Sequence, residues 1–296
     1  MRRNGRGAPA DFEARLARAE DVIVTAGVAA VAPLRLLIAV LRHQEATAAI
    51  EGREAAAVAA GAAEHLAAGR FPLLDLGAAV APIAALIPGA VAALDSSVGG
   101  DGVPVLPEPL AAAGRALAAV DRADREALVD AWMEDPAAPE PRFSFWARVA
   151  AGPVLEPARA AVPTPSRDDW TGRACPACGG LAQASVIAEE SGEFMGGSPR
   201  SLVCGRCAGW WTFPRATCSW CGEDDPRKLS PFVPDGRRGV RIDACDTCRS
   251  YVKTFDLREA GGAAVVPLVD DVATVSLDVW AHEQGLSRAL VSLAGV

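Results

Sequence analysis

Cysteine and histidine are both scarce over most of this 296-residue chain. No cysteine occurs before Cys175, and the three histidines, His43, His65 and His282, fall in predicted helices far from the cysteines. We therefore expect the histidines to be ordinary core or surface side chains, and any metal chemistry to depend on the cysteines alone.

The sequence motifs of the common enzyme classes are also missing. The chain has no serine-nucleophile motif, no Walker A lysine motif, no dinucleotide fingerprint and no convincing pair of catalytic carboxylates. We therefore expect that the protein is not an enzyme.

Signals for export or membrane insertion are weak. The basic start, Met1 to Gly7, is not followed by an apolar run, which predicts no secretory signal and a cytoplasmic location. Leu76 to Leu94 is uncharged and nearly long enough to span a bilayer. Because it contains Pro82, Pro88 and Gly89, we expect a buried, broken core helix and no membrane insertion.

The charge balance disfavours nucleic acid as a partner. The formal net charge is −8, and the cysteine-bearing region Trp170–Arg258 contains 12 basic and 10 acidic residues. A net charge of +2 is too small to predict a convincing phosphate-binding groove.

Residues 11–150 have the pattern of packed helices. Pro33 is expected to begin a helix, where its missing N–H costs nothing. Leu34, Leu37, Ile38 and Leu41 follow it at a helical spacing and define one apolar face. A second helical segment follows Pro72 and ends near Asp95, and a third covers Leu110 to Glu134. The inner face of the third would be formed by Leu117, Val120, Leu128 and Trp132. Four prolines between Ala151 and Ser166 predict an irregular linker; they are Pro153, Pro157, Pro163 and Pro165.

The pattern changes after this linker. Residues 181–188 and 200–204 predict two strands joined by a Gly-rich turn, and residues 229–233 and 239–244 predict a hairpin around Asp235-Gly236. A final helix is expected over residues 271–284, with Asp270 or Asp271 as its N-cap and Gly285 just after its end.

All the cysteines of the chain occur in four C-x-x-C pairs. Two such turns brought together by a hairpin complete a tetrahedral four-sulfur shell. In the simplest arrangement, sequential pairing, the first C-x-x-C turn shares a site with the second, and the third shares a site with the fourth. The alternative is an interleaved cross-brace, in which turns that are not consecutive share a site. The predicted metal ligands are Cys175, Cys178, Cys204 and Cys207 in the first site and Cys218, Cys221, Cys245 and Cys248 in the second.

Three roles for these sulfurs stay open from the residues themselves. They are a structural metal, a redox-active iron centre and thiol–disulfide chemistry. Complete four-sulfur shells leave no open coordination position, which disfavours metal-dependent hydrolysis, and they do not distinguish zinc from iron. Trp210, Trp211 and Trp220 crowd the second and third turns, where we expect them to shield the metal sites in preference to forming a base-stacking surface.

The succession CPACGG, LVCGRCAGWWTFPRATCSWCGE, DACDTCRSYVKTFDL and VDDVATVSLDVWAHEQG resembles the formate dehydrogenase accessory protein family, FdhE. The resemblance covers about Cys175 to Ser287; the first half agrees with the family in length and helical character only. It implies an α+β fold in which an N-terminal all-α domain with the Pro-rich linker at its end (1–168) precedes two rubredoxin-like or zinc-ribbon-like modules (169–212 and 213–260). A C-terminal helix region (261–296) would pack back on the protein.

The resemblance also implies a function. The protein would be a cytoplasmic maturation factor that binds the catalytic subunit of formate dehydrogenase, with iron or zinc in two four-cysteine sites. A rubredoxin-like protein that transfers electrons to the dehydrogenase and a zinc-ribbon nucleic-acid binder are the alternatives. The oligomeric state stays open, with a homodimer among the options.

At two of the four C-x-x-C pairs, the residue that follows the pair departs from the family pattern. Glycine is expected there for a tight turn, and Gly179 and Gly222 fit. Ala208 and Arg249 do not, so we expect these two turns to be less regular and rubredoxin-like redox behaviour to be less favoured.

Overall fold

The computed structural model describes residues 11–135, 140–189, 198–262 and 264–295, and its first half is helical, as predicted. The helices of this half are α1 (Phe12–Val22), α2 (Val28–Ala48), α3 (Gly52–Ala59), α4 (Ala62–Ala67), α5 (Leu76–Asp95), α6 (Glu108–Ala119), α7 (Arg122–Glu134) and α8 (Pro141–Ala160).

Helix α5 lies at the centre of the helical half. The Asp75 side chain caps it by accepting a hydrogen bond from the Ala78 N–H, and the helix packs against α6, α7 and α8. Residues such as Ile83 and Ile87 are completely buried.

Within the described ranges, α5 alone is long and apolar enough to cross a bilayer, but a core helix meets the same criteria. Both of its prolines lie inside one continuous helix, so the expected break was wrong.

Helix α8 corrects the predicted Pro-rich linker. It continues through Pro153 and Pro157 to Ala160, and only the residues after it form an irregular connection. Proline removes a backbone donor from a helix interior and is costly there. The segment Ala147–Leu155 is buried along its whole length, so tertiary packing offsets that cost.

Three smaller expectations in the helical half also change. Helix α2 begins at Val28, which places Pro33 inside the helix and not at its start. The segment from Leu110 to Glu134 divides into α6 and α7, because the Asp121 side chain caps a new helix there. Leu128 is 42% exposed and does not belong to the inner face.

The second half forms one mixed sheet in the order β3-β2-β1-β6-β5-β4. Strands β1, β2 and β3 form one antiparallel unit and β4, β5 and β6 another, and the parallel pairing of β1 with β6 joins them. A short strand, β7, pairs with the start of β6. The strands are β1 (Ala182–Ile187), β2 (Arg200–Cys204), β3 (Trp210–Phe213), β4 (Leu229–Phe232), β5 (Val240–Cys245), β6 (Ser250–Asp256) and β7 (Ser287–Arg288).

The four predicted strands are confirmed, whereas β3, β6 and β7 were not predicted. The Gly-rich turn between β1 and β2 lies outside the described residues. The C-terminal helix is interrupted at Thr274, which separates α9 (Pro267–Ala273) from α10 (Val275–Glu283). Asp270 and Asp271 lie within α9, so neither is its N-cap, and Gly285 has the positive φ expected just after a helix.

The two halves share buried apolar contacts. Cys175, Cys178, Cys204 and Cys207 belong to the same core as α5, α7 and α8. Helix α9 packs on α1 and α2, and residues of α10 pack against the sheet. The α+β architecture expected from the sequence is therefore confirmed.

Candidate metal centres

The eight cysteines gather into two groups of four with the sequential pairing. Within each group the sulfur atoms all lie within 4.8 Å of one another. Cluster 1 is Cys175, Cys178, Cys204 and Cys207, and cluster 2 is Cys218, Cys221, Cys245 and Cys248. Each cluster could hold one metal ion.

The sulfur–sulfur distances suit a tetrahedral ion. In cluster 1 the Sγ atoms of Cys175 and Cys207 are 3.7 Å apart, and those of Cys178 and Cys204 are 3.5 Å apart. The corresponding distances across cluster 2 are 3.8 and 3.7 Å. A tetrahedron with metal–sulfur bonds of about 2.3 Å has edges of about 3.8 Å, whereas a disulfide would require about 2.0 Å. The four-sulfur geometry fits zinc and iron alike.

The turns that present these sulfurs have the same backbone conformation at all four C-x-x-C pairs. The residue after the second cysteine has a positive φ in each: Gly179 (68°), Ala208 (53°), Gly222 (84°) and Arg249 (58°). The expectation that the Ala208 and Arg249 turns are less regular was therefore wrong. Backbone N–H groups of Arg206 and Trp220 donate to the Cys204 and Cys218 sulfurs, at 3.3 and 3.4 Å.

Cluster 1 is buried beneath the helical half. Each of its cysteines is at most 2% exposed. The backbone N–H groups of Leu73 and Leu74 donate to the carbonyls of Pro176 and Ala177, both at 2.9 Å. These two hydrogen bonds attach the first C-x-x-C turn to the segment that precedes α5. Cluster 1 is thereby part of the protein core.

The thiols of cluster 1 differ in how readily they ionise. Burial acts to raise the pKa of Cys204, but hydrogen bonds from the other cysteines outweigh it and hold that pKa well below its usual range. Removal from water raises the pKa of the Cys175 thiol well above its usual range, because a buried thiolate loses its hydration. Four adjacent thiolates in such a site require a cation to balance them. The chemistry of the donor set therefore favours a bound metal over four free thiolates.

Cluster 2 lies at the protein surface. Cys221 is exposed and Cys248 is half-buried. Burial raises the pKa of Cys218 to about 12. Burial also acts to raise the pKa of Cys248. Hydrogen bonds from the Ser250 backbone and hydroxyl outweigh this effect and lower the pKa of Cys248 to about 7. Cluster 2 therefore combines a solvent-facing edge with a readily ionised thiol.

The other residues singled out from the sequence have varied positions. Trp211 is buried in the core that contains cluster 1, and its Nε1 donates to the Gly172 carbonyl at 3.1 Å. Trp210 and Trp220 are half-buried. None of the three histidines belongs to either four-cysteine cluster.

Sequence reasoning missed a buried network of charges between the sheet and the C-terminal helices. The Lys253 ammonium, which has no solvent exposure, lies 3.2 Å from an Asp271 carboxylate oxygen and 2.5 Å from one of Asp278. Arg288 contacts the same two carboxylates, and the Tyr251 hydroxyl donates to Asp278 at 2.6 Å. The one available signal was that Lys253 is one of only two lysines in the chain.

Comparison with known proteins is consistent with this architecture. Residues 217–294 match the family model described as FdhE, C-terminal domain. An FdhE homolog from Aquifex aeolicus is 37% identical over 119 residues, which is 40% of this chain and 40% of that protein. A homolog from Shewanella oneidensis is 34% identical over 118 residues, which is 40% of this chain and 37% of that protein. The matches therefore span well under half the length of these curated relatives.

A solved structure extends the similarity of the fold to nearly the whole chain. The crystal structure of the FdhE protein from Pseudomonas aeruginosa superposes with a TM-score of 0.67. The superposition covers 98% of this chain and 97% of the other, at 20% sequence identity. At that identity the likeness establishes a shared fold.

Proposed function

We propose that this chain is a member of the FdhE family and an accessory factor for the maturation of formate dehydrogenase. In this proposal it binds the catalytic subunit of the dehydrogenase, both clusters bind metal, and the chain itself catalyses no reaction. It acts in the cytoplasm, where reducing conditions keep cysteine thiols available for metal.

The observation that carries this proposal is the difference in burial between the two clusters. Cluster 1 is enclosed by the helical half, so a metal there would stabilise the fold and would not be reached by a partner. Cluster 2 has exposed Cys221 and half-buried Cys248 at its edge. A metal in cluster 2 would instead hold the turns of a docking surface in place.

A second candidate function is electron transfer through iron in cluster 2. Its support is the same solvent-facing edge, because an electron must pass between a metal centre and a partner that approaches closely. Cluster 1 offers no such edge. In this alternative, the dehydrogenase subunit would still be the partner, and the iron would be the electron donor or acceptor.

A pull-down with the cognate catalytic subunit tests the main proposal. Wild-type protein purified without oxygen should capture the subunit, and a strain that lacks the protein should have little formate dehydrogenase activity. Cys221→Ser should weaken capture, while Arg238→Glu, a change on the exposed turn between β4 and β5, should not. Absence of capture together with normal activity in the deletion strain would refute the proposal.

Metal analysis with an absorption spectrum separates the two candidates. Ferric thiolate absorbs visible light and zinc thiolate does not. A colourless protein that contains only zinc and fully restores the deletion strain would exclude electron transfer. A salt-sensitive complex with DNA or RNA would instead revive the zinc-ribbon alternative.

A further inference from the structure

A cavity of about 180 Å³ opens beside cluster 2. Cys218 and Cys245 of that cluster are among its lining residues, and Leu229 and Val252 contribute apolar wall. An apolar cavity of roughly 150 Å³ is large enough for benzene. The cavity can therefore hold one aliphatic or aromatic side chain.

Three guanidinium groups also line this cavity: those of Arg200, Arg215 and Arg241. Arg200 is only 4% exposed. Its Nε donates to the Ser185 hydroxyl at 2.8 Å and its Nη1 to the Thr217 carbonyl at 3.0 Å. Its Nη2 has no hydrogen-bond partner among the residues that the structure describes. A buried guanidinium with an unused donor beside a cavity suits an anionic ligand.

The charge at the cavity is not balanced by its acidic side chains. Asp243 is the one carboxylate among the described lining residues, and it already accepts hydrogen bonds from Arg241 at 2.7 Å and Thr254 at 2.6 Å. Arg215 is exposed and forms no ion pair with any described residue. The three guanidinium groups exceed this one carboxylate by two charges, and the thiolates of cluster 2 offset part of that excess. Arg215 is therefore the cation left for a ligand, next to the apolar wall.

We propose that this cavity, defined by Arg200, Arg215 and Arg241 beside cluster 2, binds an acidic segment of the partner protein. An apolar side chain of that segment enters the cavity, and a neighbouring carboxylate pairs with the guanidinium groups. The inference rests on the proposed function for the identity of the partner, but the peptide class follows from the lining of the cavity. A bidentate contact between a guanidinium and a carboxylate would fix the orientation of the segment.

The first experiment measures the affinity of the metal-loaded full chain for the dehydrogenase catalytic subunit. Arg215→Glu should weaken binding at least about tenfold, because the reversed charge would face the acidic segment. Arg215→Lys keeps the positive charge, so it should retain most of the wild-type affinity. The matched control is Arg238→Glu, which has the same charge change at an exposed position outside the cavity and should alter the affinity less than about twofold.

The second experiment does not depend on the dehydrogenase. A fluorescent hexapeptide of alternating leucine and glutamate should bind the wild-type chain more tightly than its leucine–glutamine counterpart, and Arg215→Glu should abolish that preference. Fluorescence anisotropy at low ionic strength measures both.

The two experiments distinguish failure of the inference from failure of the proposed function. If the subunit binds and Arg215→Glu has no more effect than Arg238→Glu, the arginines only balance the charge of cluster 2 and the inference is wrong. If the subunit does not bind at all, the proposed function fails, and the peptide experiment alone tests whether the cavity binds an acidic segment. Equal binding of the two peptides would then show that this inference is also wrong.

Discussion

The guanidinium of Arg206 lies over the indole ring of Trp132, 4.4 Å from the ring centroid, and its Nη2 donates to the Trp132 carbonyl at 2.9 Å. Its Nη1 donates to the Cys178 carbonyl at 3.0 Å. One side chain therefore joins the second turn of cluster 1, the first turn and helix α7. This contact explains how a four-cysteine module becomes part of the core of the helical half.

Replacing Arg206 should destabilise the whole protein. Arg206→Met keeps much of the aliphatic bulk but leaves buried carbonyls without donors and removes the cation–π contact. We expect a loss of about 2–4 kcal/mol in the free energy of unfolding, measured by urea titration. Arg238→Met is the surface control and should change it by no more than about 0.5 kcal/mol. Equal values for the two variants would contradict the joining role of Arg206.

Loss of metal should affect the two clusters differently. Cys178→Ser removes a buried thiol of cluster 1 from the shared core, so it should lower the thermal unfolding temperature of both halves together. Cys221→Ser alters the solvent-facing edge, so the helical half should unfold near the wild-type temperature. On the proposal that both clusters bind metal, each variant should contain one ion fewer than the wild-type protein, as measured by elemental analysis. A local effect of Cys178→Ser would contradict the burial argument.

The turns of cluster 1 allow a test of backbone strain without steric change. A Cβ added at Gly179, where φ is +68°, would meet no atom within 4 Å, so Gly179→Ala should cost about 1–2 kcal/mol through strain alone. Ala208 already has a φ of +53°, so Ala208→Gly should relieve strain and give a small net gain in stability. Chemical denaturation of the metal-loaded protein measures both, and effects of the same sign would refute the interpretation.

Cys248 should be the thiol of cluster 2 that ionises first in metal-free protein. Its pKa of about 7 lies far below that of Cys218, which is about 12. Because the thiolate is the nucleophile, its reaction with iodoacetamide should accelerate about tenfold between pH 6 and pH 8. Mass spectrometry of tryptic peptides measures the rate at each cysteine. Zinc added before the reagent should protect Cys248, and a pH-independent rate would contradict the assignment.

The cysteine pattern predicted more of the site than of the surrounding fold. The spacing of the four C-x-x-C pairs and the two intervening hairpins predicted which sulfurs would meet, because turn chemistry and strand pairing are local. The same reasoning placed an irregular linker at Pro153 and Pro157, where the protein has a buried helix. Local propensity failed there because contacts with distant helices outweigh the loss of two backbone hydrogen bonds.

The sequence by itself determined two four-sulfur sites after a cysteine-free helical half, since ligand type and spacing are properties of the chain. Only the tertiary structure decided that the sites are unequal. Cluster 1 is closed because Arg206, Leu73 and Leu74 attach its turns to the helices. Cluster 2 stays open at exposed Cys221 and half-buried Cys248, with an arginine-lined cavity beside it. Burial depends on contacts between residues far apart in the chain, which the spacing of cysteines does not encode.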